Sequence, residues 1–282
     1  VAFSWGAGDL SGTSSMALGG AAPPARPIEP PGGAKATGGD HGEEVVAVDA
    51  PSAVVSSVTV PELLLAGGDA DDVIEVRNLA LLGLGMPTGA CVRVPAPLAG
   101  LRGVTVREVA AGVAHTLLLG ACGRVFSCGS GRCGVLGHGD TASHSTPKCV
   151  EALSSHRIVS EQVSAGDFHS AVTTTDGHVY TWGWGGSGRL GHRDFSAQQF
   201  PMRVAALEGT RMCQVSAGGS HTLAVSAVGE LYAWGCATNG RLGLGEDVAW
   251  SGQVTAPALV ELPGHARVWQ ASAGSSHSLV IA

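Results

Sequence analysis

Large apolar residues alternate with small or polar residues in short segments of this chain, and glycine-rich turns separate the segments. Residues 230–235 (ELYAWG) show the alternation most clearly, and residues 221–225 (HTLAV) form another short segment rich in strand-forming residues. A period of two predicts strands within a sheet, since successive strand side chains point to opposite faces. No long segment with a period of 3.6 interrupts the pattern, so the chain is predicted to be nearly all β.

The pattern recurs as a repeat along the chain. Four copies of Ala-Gly-x-x-His end at His115, His169, His221 and His277, which are 54, 52 and 56 residues apart. The first three copies each continue into a strand with an aromatic residue and then into a Leu-Gly corner, at 136–137, 190–191 and 242–243. Short strands and glycine turns repeating about every 50 residues predict a β-propeller, in which each blade buries its apolar faces against its neighbours.

The two ends of the chain are predicted to share one blade. Residues 268–282 hold the first two strands of a repeat, whereas residues 1–6 (VAFSWG) match its third strand. Pairing of these segments would leave no sheet edge exposed between them. A weaker fifth copy is predicted at residues 62–67 and 82–85, so we expect about five blades. The start in the middle of a repeat, without methionine, is expected for a domain excised from a larger protein.

These motifs resemble the family of repeats named for the regulator of chromosome condensation. The resemblance rests on Ala-Gly-x-x-His, Tyr-x-Trp-Gly and Gly-x-Leu-Gly in register. It covers about residues 45–282 and the first twenty residues, and it is strongest from Val106 onward. It implies a β-propeller, in this family usually of seven blades, so the chain is either a five-bladed ring or a piece of a larger one. We expect one propeller domain over residues 1–282, with the best-formed repeats at 106–282 and a flexible Pro/Gly/Ala-rich insertion at 21–44.

The repeat histidines and the strand tryptophans are expected to have structural roles. An imidazole at the start of a strand can bond the backbone of its own turn, and its recurrence in every blade favours a shared structural task over a ligand or a catalytic base. Trp5, Trp182 and Trp234 occupy equivalent strand positions. We expect all three tryptophans to be buried between blades, because each blade of a propeller packs against its neighbours.

Other candidate chemistry in the sequence is sparse. A metal could be bound by His138, Asp140 and His144, or by His192 and Asp194, although polar loops of this kind more often hold none. The glycine-rich run at 183–188 lacks the following helix that a dinucleotide site requires. We therefore expect no catalysis, no cofactor and no metal.

Three arginines are the candidate partner-binding residues. Arg132, Arg189 and Arg241 are assigned to the same repeat position before the Leu-Gly corner, and they are expected to lie in a row on one face of the ring. Arginine on rigid loops suits bidentate recognition of acidic side chains. The other interpretation is a solvated turn residue whose stem covers the corner leucine. Both interpretations stay open on the sequence alone.

Charge is unevenly distributed and argues against nucleic-acid binding. The chain has 44% hydrophobic and 14% charged residues and a net charge of -7. Residues 1–100 hold 11 acidic and 4 basic side chains, whereas residues 101–282 hold 12 of each. The regular repeats are therefore neutral and lack the basic face that binding of a phosphate backbone requires.

The cysteine pattern and the hydropathy pattern indicate in which cellular compartment the protein is expected. The seven cysteines are odd in number and form no C-x-x-C pair, which favours a reducing environment. No stretch approaches the roughly 20 apolar residues of a membrane span. We expect an intracellular location, in the cytoplasm or the nucleus, without membrane contact.

The family resemblance implies several kinds of function. One is nucleotide exchange on a small GTPase, another is light sensing by clustered tryptophans, and a third is protein binding by a propeller attached to other domains. None of the four Ala-Gly-x-x-His turns holds a tryptophan, so the light-sensing cluster is not expected. We predict a non-catalytic protein-binding propeller, with a guanine-nucleotide exchange factor as the alternative and a small GTPase as a possible partner.

Overall fold

The structure is a computed structural model that describes residues 2–6, 46–47, 96–98, 100–245, 248 and 252–282. Short β-strands dominate these residues, and a helix, α1, spans Glu151–Ser155. The predicted fifth repeat at 62–67 and 82–85 and the predicted insertion at 21–44 lie outside the described residues. Within the described ranges, none of the helices has the length and apolar character needed to cross a membrane.

Three consecutive blades are four-stranded antiparallel sheets whose strands follow one another in chain order. Blade 1 consists of β4 (Val106–Ala111), β5 (His115–Gly120), β6 (Val125–Gly129) and β7 (His144–Cys149). Blade 2 consists of β8 (Ser160–Ala165), β9 (His169–Thr174), β10 (Val179–Gly183) and β11 (Gln198–Arg203). Blade 3 consists of β12 (Met212–Ala217), β13 (His221–Ser226), β14 (Leu231–Cys236) and β15 (Gln253–Val260).

Blade 4 is shared by the two ends of the chain. It consists of β16 (Gln270–Ala273), β17 (His277–Ile281) and β1 (Ala2–Gly6), which pair in the order β1-β17-β16. Gly6 lies opposite His277, as Gly235 lies opposite His221 in blade 3. The first strand of the chain therefore occupies the third-strand position of a blade, and the predicted pairing of the chain ends is confirmed.

A further pair of short strands precedes blade 1. The strand β2 (Val46–Ala47) pairs with β3 (Ala96–Pro97) in an antiparallel two-stranded sheet. The all-β prediction is confirmed by these sheets.

The core lies between the blades. One cluster of buried side chains joins Leu117 and Val125 of blade 1 to Trp182 of blade 2, and an equivalent cluster joins Ala171 of blade 2 to Trp234 of blade 3. Strands β9 and β13 are buried along their whole length, because each central strand has a blade on either side. Because the strands are packed between blades, the repeats can differ in sequence mainly in the turns at the ends of the blades.

Candidate partner-binding face

The four Ala-Gly-x-x-His turns meet around one central depression. Each turn follows the innermost strand of its blade, so the turns lie at the same end of blades 1 to 4, and we call this end the turn face. The depression has a volume of about 320 Å³. It is lined by Ala111, Gly112, Val113, Ala165, Gly166, Asp167, Ala217, Gly218, Gly219, Ala273, Gly274 and Ser275.

Glycine in these turns allows neighbouring blades to approach closely. A Cβ atom on Gly112 would collide with the carbonyl oxygen of Gly166, and one on Gly166 would collide with that of Gly218. The turns are also bonded in series, since the N–H of Asp167 donates to the Gly218 oxygen at 3.3 Å and that of Gly219 donates to the Gly274 oxygen at 3.1 Å. The fixed Ala-Gly pair therefore serves the contact between blades.

Three of the repeat histidines connect one blade to the next. In each case Nε2 bonds a hydroxyl of the following blade, and this hydroxyl donates to a backbone carbonyl at the corner of the histidine's own blade. The histidine–hydroxyl pairs are His115 with Ser170 (2.9 Å), His169 with Thr222 (2.8 Å) and His221 with Ser278 (2.9 Å). The accepting carbonyls belong to Val135 (2.8 Å), Arg189 (2.8 Å) and Arg241 (2.7 Å), in the same order.

The hydroxyl bonds determine the protonation of these rings. Because each hydroxyl gives its one proton to a carbonyl, the ring must donate from Nε2, which leaves Nδ1 unprotonated. That Nδ1 atom is buried and has no hydrogen-bond partner among the described residues in His115, His169 and His221. Burial lowers the pKa of His115 to about 4 and that of His221 to about 3, and it lowers the pKa of His169 well below the usual value. His277 differs from these three because it is exposed.

The strand tryptophans add hydrogen bonds to the same contacts between neighbouring blades. Trp182 and Trp234 are fully buried, and their Nε1–H groups donate to the carbonyl oxygens of Val135 and Arg189 at 2.7 and 2.8 Å. The Val135 and Arg189 oxygens thus each receive a hydroxyl and an indole from the following blade. Cys128 occupies the corresponding position of blade 1 and is 1% exposed. The side chain of Trp5 lies outside the described residues, so its burial stays a prediction.

The structure corrects the assignment of the three arginines to one position. Arg189 and Arg241 each follow a short 3-10 turn, Gly186–Gly188 in blade 2 and Thr238–Gly240 in blade 3. In blade 1 the equivalent turn is Arg132–Gly134, so Arg132 begins it and Val135 follows it. The expected row of three arginines was wrong in this respect, because Arg-Cys-Gly in blade 1 shifts the arginine by three residues relative to the other corners.

Arg189 and Arg241 are buried in the wall between blades. Arg189 is 2% exposed, and it donates from Nε to the Gly186 oxygen at 2.8 Å and from Nη1 to the Gly219 oxygen at 2.6 Å. Arg241 is 7% exposed and donates from Nη1 to the Ser220 hydroxyl at 2.7 Å. Through Gly219, Arg189 holds the turn of the following blade, and Arg241 does the same through the Ser275 oxygen at 3.3 Å, whereas Ser220 belongs to the turn of its own blade. Binding of a partner by the arginines stays a prediction, and their contacts favour a structural role.

The two positions between Gly and His differ from copy to copy. They hold Val-Ala in blade 1, Asp-Phe in blade 2, Gly-Ser in blade 3 and Ser-Ser in blade 4. Val113 is 50% exposed, and Asp167 is half-buried at the rim of the depression. Burial raises the pKa of Asp167, while the nearby Arg189 lowers it. Comparison of the copies could have identified these residues from the sequence, since they vary where their neighbours are fixed.

Aromatic side chains adjoin Asp167 in blade 2. The rings of Phe168 and Trp184 pack edge to face with centroids 5.7 Å apart, and the Arg189 guanidinium lies 4.3 Å from the Trp184 ring centroid. Both arrangements are favourable for aromatic rings. Blade 2 thus presents an acidic and aromatic group on the turn face that the other described blades lack.

The loop histidines considered as metal ligands have other contacts. His138 and His192 place Nε2 3.0 Å from the hydroxyls of Ser127 and Thr181. Burial lowers the pKa of His138 to about 4 and also lowers that of His192. In the part of the chain that the structure describes, no group of three or more His, Cys, Asp or Glu side chains could hold a metal ion.

The carboxylates of the same loops cap turns. Asp140 accepts the Ala142 N–H and Asp194 accepts the Ser196 N–H, both at 3.0 Å. His144 packs edge to face against His138, with ring centroids 5.0 Å apart. Contacts within the loops therefore account for the positions of these side chains.

Comparison with protein families finds three repeats in this chain. The model described as "Regulator of chromosome condensation (RCC1) repeat" matches residues 122–173, 176–225 and 228–281, which together exceed half of the 282 residues. A second model with the same description matches 161–189 and 212–241.

Curated relatives are similar over part of their own length. The Ultraviolet-B receptor UVR8 of Arabidopsis thaliana is 37% identical over 174 residues, which are 61% of this chain and 38% of the receptor. The E3 ubiquitin-protein ligase HERC2 of Homo sapiens is 37% identical over 153 residues, which are 54% of this chain and 3% of the ligase. The chain therefore spans well under half the length of these relatives.

Solved structures share the fold. Human WBSCR16 matches with a TM-score of 0.63 and 25% identity, over 72% of this chain and 50% of that one. Prp20p from Saccharomyces cerevisiae matches with a TM-score of 0.56 and 22% identity, over 66% of this chain and 45% of that one. The prediction of a β-propeller of this repeat type is confirmed.

Proposed function

Because the chain belongs to the RCC1 repeat family, we propose that it is a non-catalytic protein-binding propeller, acting as a scaffold or regulatory interaction domain of a larger protein. One observation carries the proposal. Three of the four repeat histidines are occupied by contacts between blades, whereas the residue after each glycine varies and lines the central depression beside the fixed Ala-Gly pairs. A surface with fixed support and variable side chains is suited to recognition.

The repeat histidines are poor candidates for catalysis. A general base needs a pKa near the working pH and access to a substrate proton. His115 and His221 have pKa values of about 4 and 3, and each bonds a hydroxyl that is itself bonded to a carbonyl. Such rings neither take up a proton near neutral pH nor activate the neighbouring hydroxyl, which favours a structural role.

Guanine-nucleotide exchange on a small GTPase is the alternative function. The structural report on Prp20p names its binding to Gsp1p and histones. That protein is 22% identical to this chain and supports the shared fold alone. The HERC2 match covers 3% of the ligase, so it supports a propeller as a module within a larger protein rather than ligase activity.

We also propose an intracellular location, in the cytoplasm or the nucleus. Six cysteines in the described ranges are free thiols: Cys122, Cys128, Cys133, Cys149, Cys213 and Cys236. Free thiols in this number are typical of reducing compartments. Fractionation of cells that express the chain tests this location.

The test of protein binding compares two exposed valines at opposite ends of the blades. Val113 lies on the turn face and is 50% exposed, whereas Val228 lies in the β13–β14 turn at the other end and is 59% exposed. A partner first identified by affinity capture is purified, and its Kd is measured with wild type, Val113→Glu and Val228→Glu. We expect weaker binding only for Val113→Glu. Equal Kd values for all three, or a loss confined to Val228→Glu, would contradict binding at the turn face.

Release of a fluorescent guanine nucleotide from a purified small GTPase separates the two functions. A scaffold leaves the release rate unchanged, whereas an exchange factor accelerates it. Acceleration that is lost in Val113→Glu would establish the alternative function at the same face.

A further inference from the structure

The central depression contains a single ionisable side chain among its described lining residues. The lining consists of alanine, glycine, Val113, Ser275 and Asp167. Asp167 is half-buried and lies at the rim, beside the aromatic pair of Phe168 and Trp184. The only charge that this part of the depression offers to a partner is therefore negative.

The Asp167 carboxylate lies against the turn of the next blade. Its Oδ2 atom lies where it would be 2.9 Å from a Cβ on Gly219, so the absence of a side chain at residue 219 provides its space. Its own N–H donates to the Gly218 oxygen at 3.3 Å. The equivalent positions in blades 1, 3 and 4 hold valine, glycine and serine, so the carboxylate is specific to blade 2.

The neighbouring cation, Arg189, is held within the wall and is not one of the residues that line the depression. Arg189 is 2% exposed and its guanidinium is bound to two backbone oxygens and packed on Trp184. Its positive charge lowers the pKa of Asp167 against the effect of burial and so favours the ionised carboxylate. Asp167 is therefore the charged side chain that lines the depression among the described residues.

We propose that the central depression receives a lysine or arginine side chain of a protein partner, with Asp167 as the carboxylate that pairs with it. The proposal rests on the proposed function, since it specifies the partner chemistry of the same face. A volume of about 320 Å³ is at the lower end of the range for ligand pockets and suits one inserted side chain. The exposed Val113 of the neighbouring blade 1 supplies apolar contact at the rim.

A metal ion fits this site less well than an organic cation. Calcium takes six to eight oxygen ligands and magnesium prefers an octahedral shell. The depression offers one carboxylate, and the described residues hold no cluster of ligands. A lysine or arginine needs only one carboxylate for a charge-assisted hydrogen bond.

The test uses four synthetic peptides that differ at one central residue. The peptide is acetyl-GSG-X-GSG-amide, with X as lysine, arginine, norleucine or glutamate, titrated into isotopically labelled full chain and followed by amide chemical shifts. The variants are Asp167→Asn, which removes the charge at constant shape, and Asp176→Asn as the matched control. Asp176 follows β9 at the other end of the same blade and bonds His178 at 2.9 Å.

We expect the lysine and arginine peptides to shift the amides of Gly166, Gly218 and Gly274 saturably in wild type and Asp176→Asn. Asp167→Asn should weaken this binding by about tenfold or more, as expected for loss of a charged hydrogen-bond partner. Equal binding of the norleucine peptide, preference for the glutamate peptide, or unchanged binding by Asp167→Asn would overturn the proposal. So would the absence of shifts at these glycines with every peptide.

The failure of this proposal can be told apart from the failure of the proposed function. If the valine comparison places a partner on the turn face while no basic peptide binds there, protein binding stands and the basic side chain is rejected. If basic peptides bind at Asp167 while Val113→Glu leaves partner binding intact, the depression binds cations but is not the surface for that partner.

Discussion

Replacement of Trp234 by alanine should destabilise the protein severely. Trp234 is fully buried between blades 2 and 3, and its Nε1–H donates to the Arg189 oxygen at 2.8 Å. Truncation of a buried tryptophan costs about 3 to 5 kcal/mol through lost transfer free energy and the cavity left behind. Loss of the indole hydrogen bond adds about 0.5 to 1.5 kcal/mol. We therefore expect the free energy of unfolding to fall by at least about 3 kcal/mol.

Trp269 provides a control of the same residue type. It is 81% exposed, so Trp269→Ala should change the free energy of unfolding by less than about 0.5 kcal/mol. Both variants are unfolded in urea and followed by far-UV circular dichroism, because fluorescence would change with the tryptophan content. Trp234→Phe retains an aromatic ring while it loses the hydrogen bond and part of the packing volume, so its loss should be smaller than that of Trp234→Ala. A loss below about 1 kcal/mol for Trp234→Ala, or one equal to that of Trp269→Ala, would refute the assigned packing.

Three further predictions address the seams between blades. Thr222→Val removes the hydroxyl that joins His169 to the Arg189 oxygen, and should lower the free energy of unfolding by about 1 to 3 kcal/mol in urea titrations; no loss would contradict the bridge. Stability should fall as pH drops from about 6.5 towards 4, by about 1.4 kcal/mol per pH unit per buried histidine, because the unfolded chain binds protons that the native histidines refuse. His115→Gln should reduce the dependence of the free energy of unfolding on pH by the contribution of one histidine. An unchanged pH dependence in urea titrations across this range would argue against a neutral buried ring. Deletion of residues 1–6 should expose β17 and promote aggregation, measured by light scattering, whereas unchanged scattering would argue against pairing of the chain ends.

The framework of the fold could be predicted because it follows from local spacing. The mid-repeat start of the chain predicted that residues 2–6 pair with β17, and the register of Gly6 with His277 bears this out. The buried positions of Trp182 and Trp234 follow from the same alternation of large and small residues.

The roles of individual polar residues depended on contacts that spacing does not reveal. Arg189 binds an oxygen of Gly219, 30 residues away on the next blade, and so lies in the wall instead of on an open row. Arg132 does not share the repeat position of Arg189 and Arg241, because the corner of blade 1 carries its arginine at the start of the turn. Asp167 could not be predicted as a site residue, because the sequence does not show that four turns converge around this one acidic side chain.

The central claim is that the fixed repeat residues hold the blades together while the variable turn residues bind a partner. Paired measurement of unfolding free energy and partner Kd for His221→Ala and Val113→Glu tests it most directly. We expect His221→Ala to lose about 1 to 3 kcal/mol of stability and keep its Kd, because it breaks the bond to Ser278. Val113→Glu should keep its stability and lose affinity. If His221→Ala instead keeps its stability and loses binding, the repeat histidines belong to the recognition surface and the account is wrong.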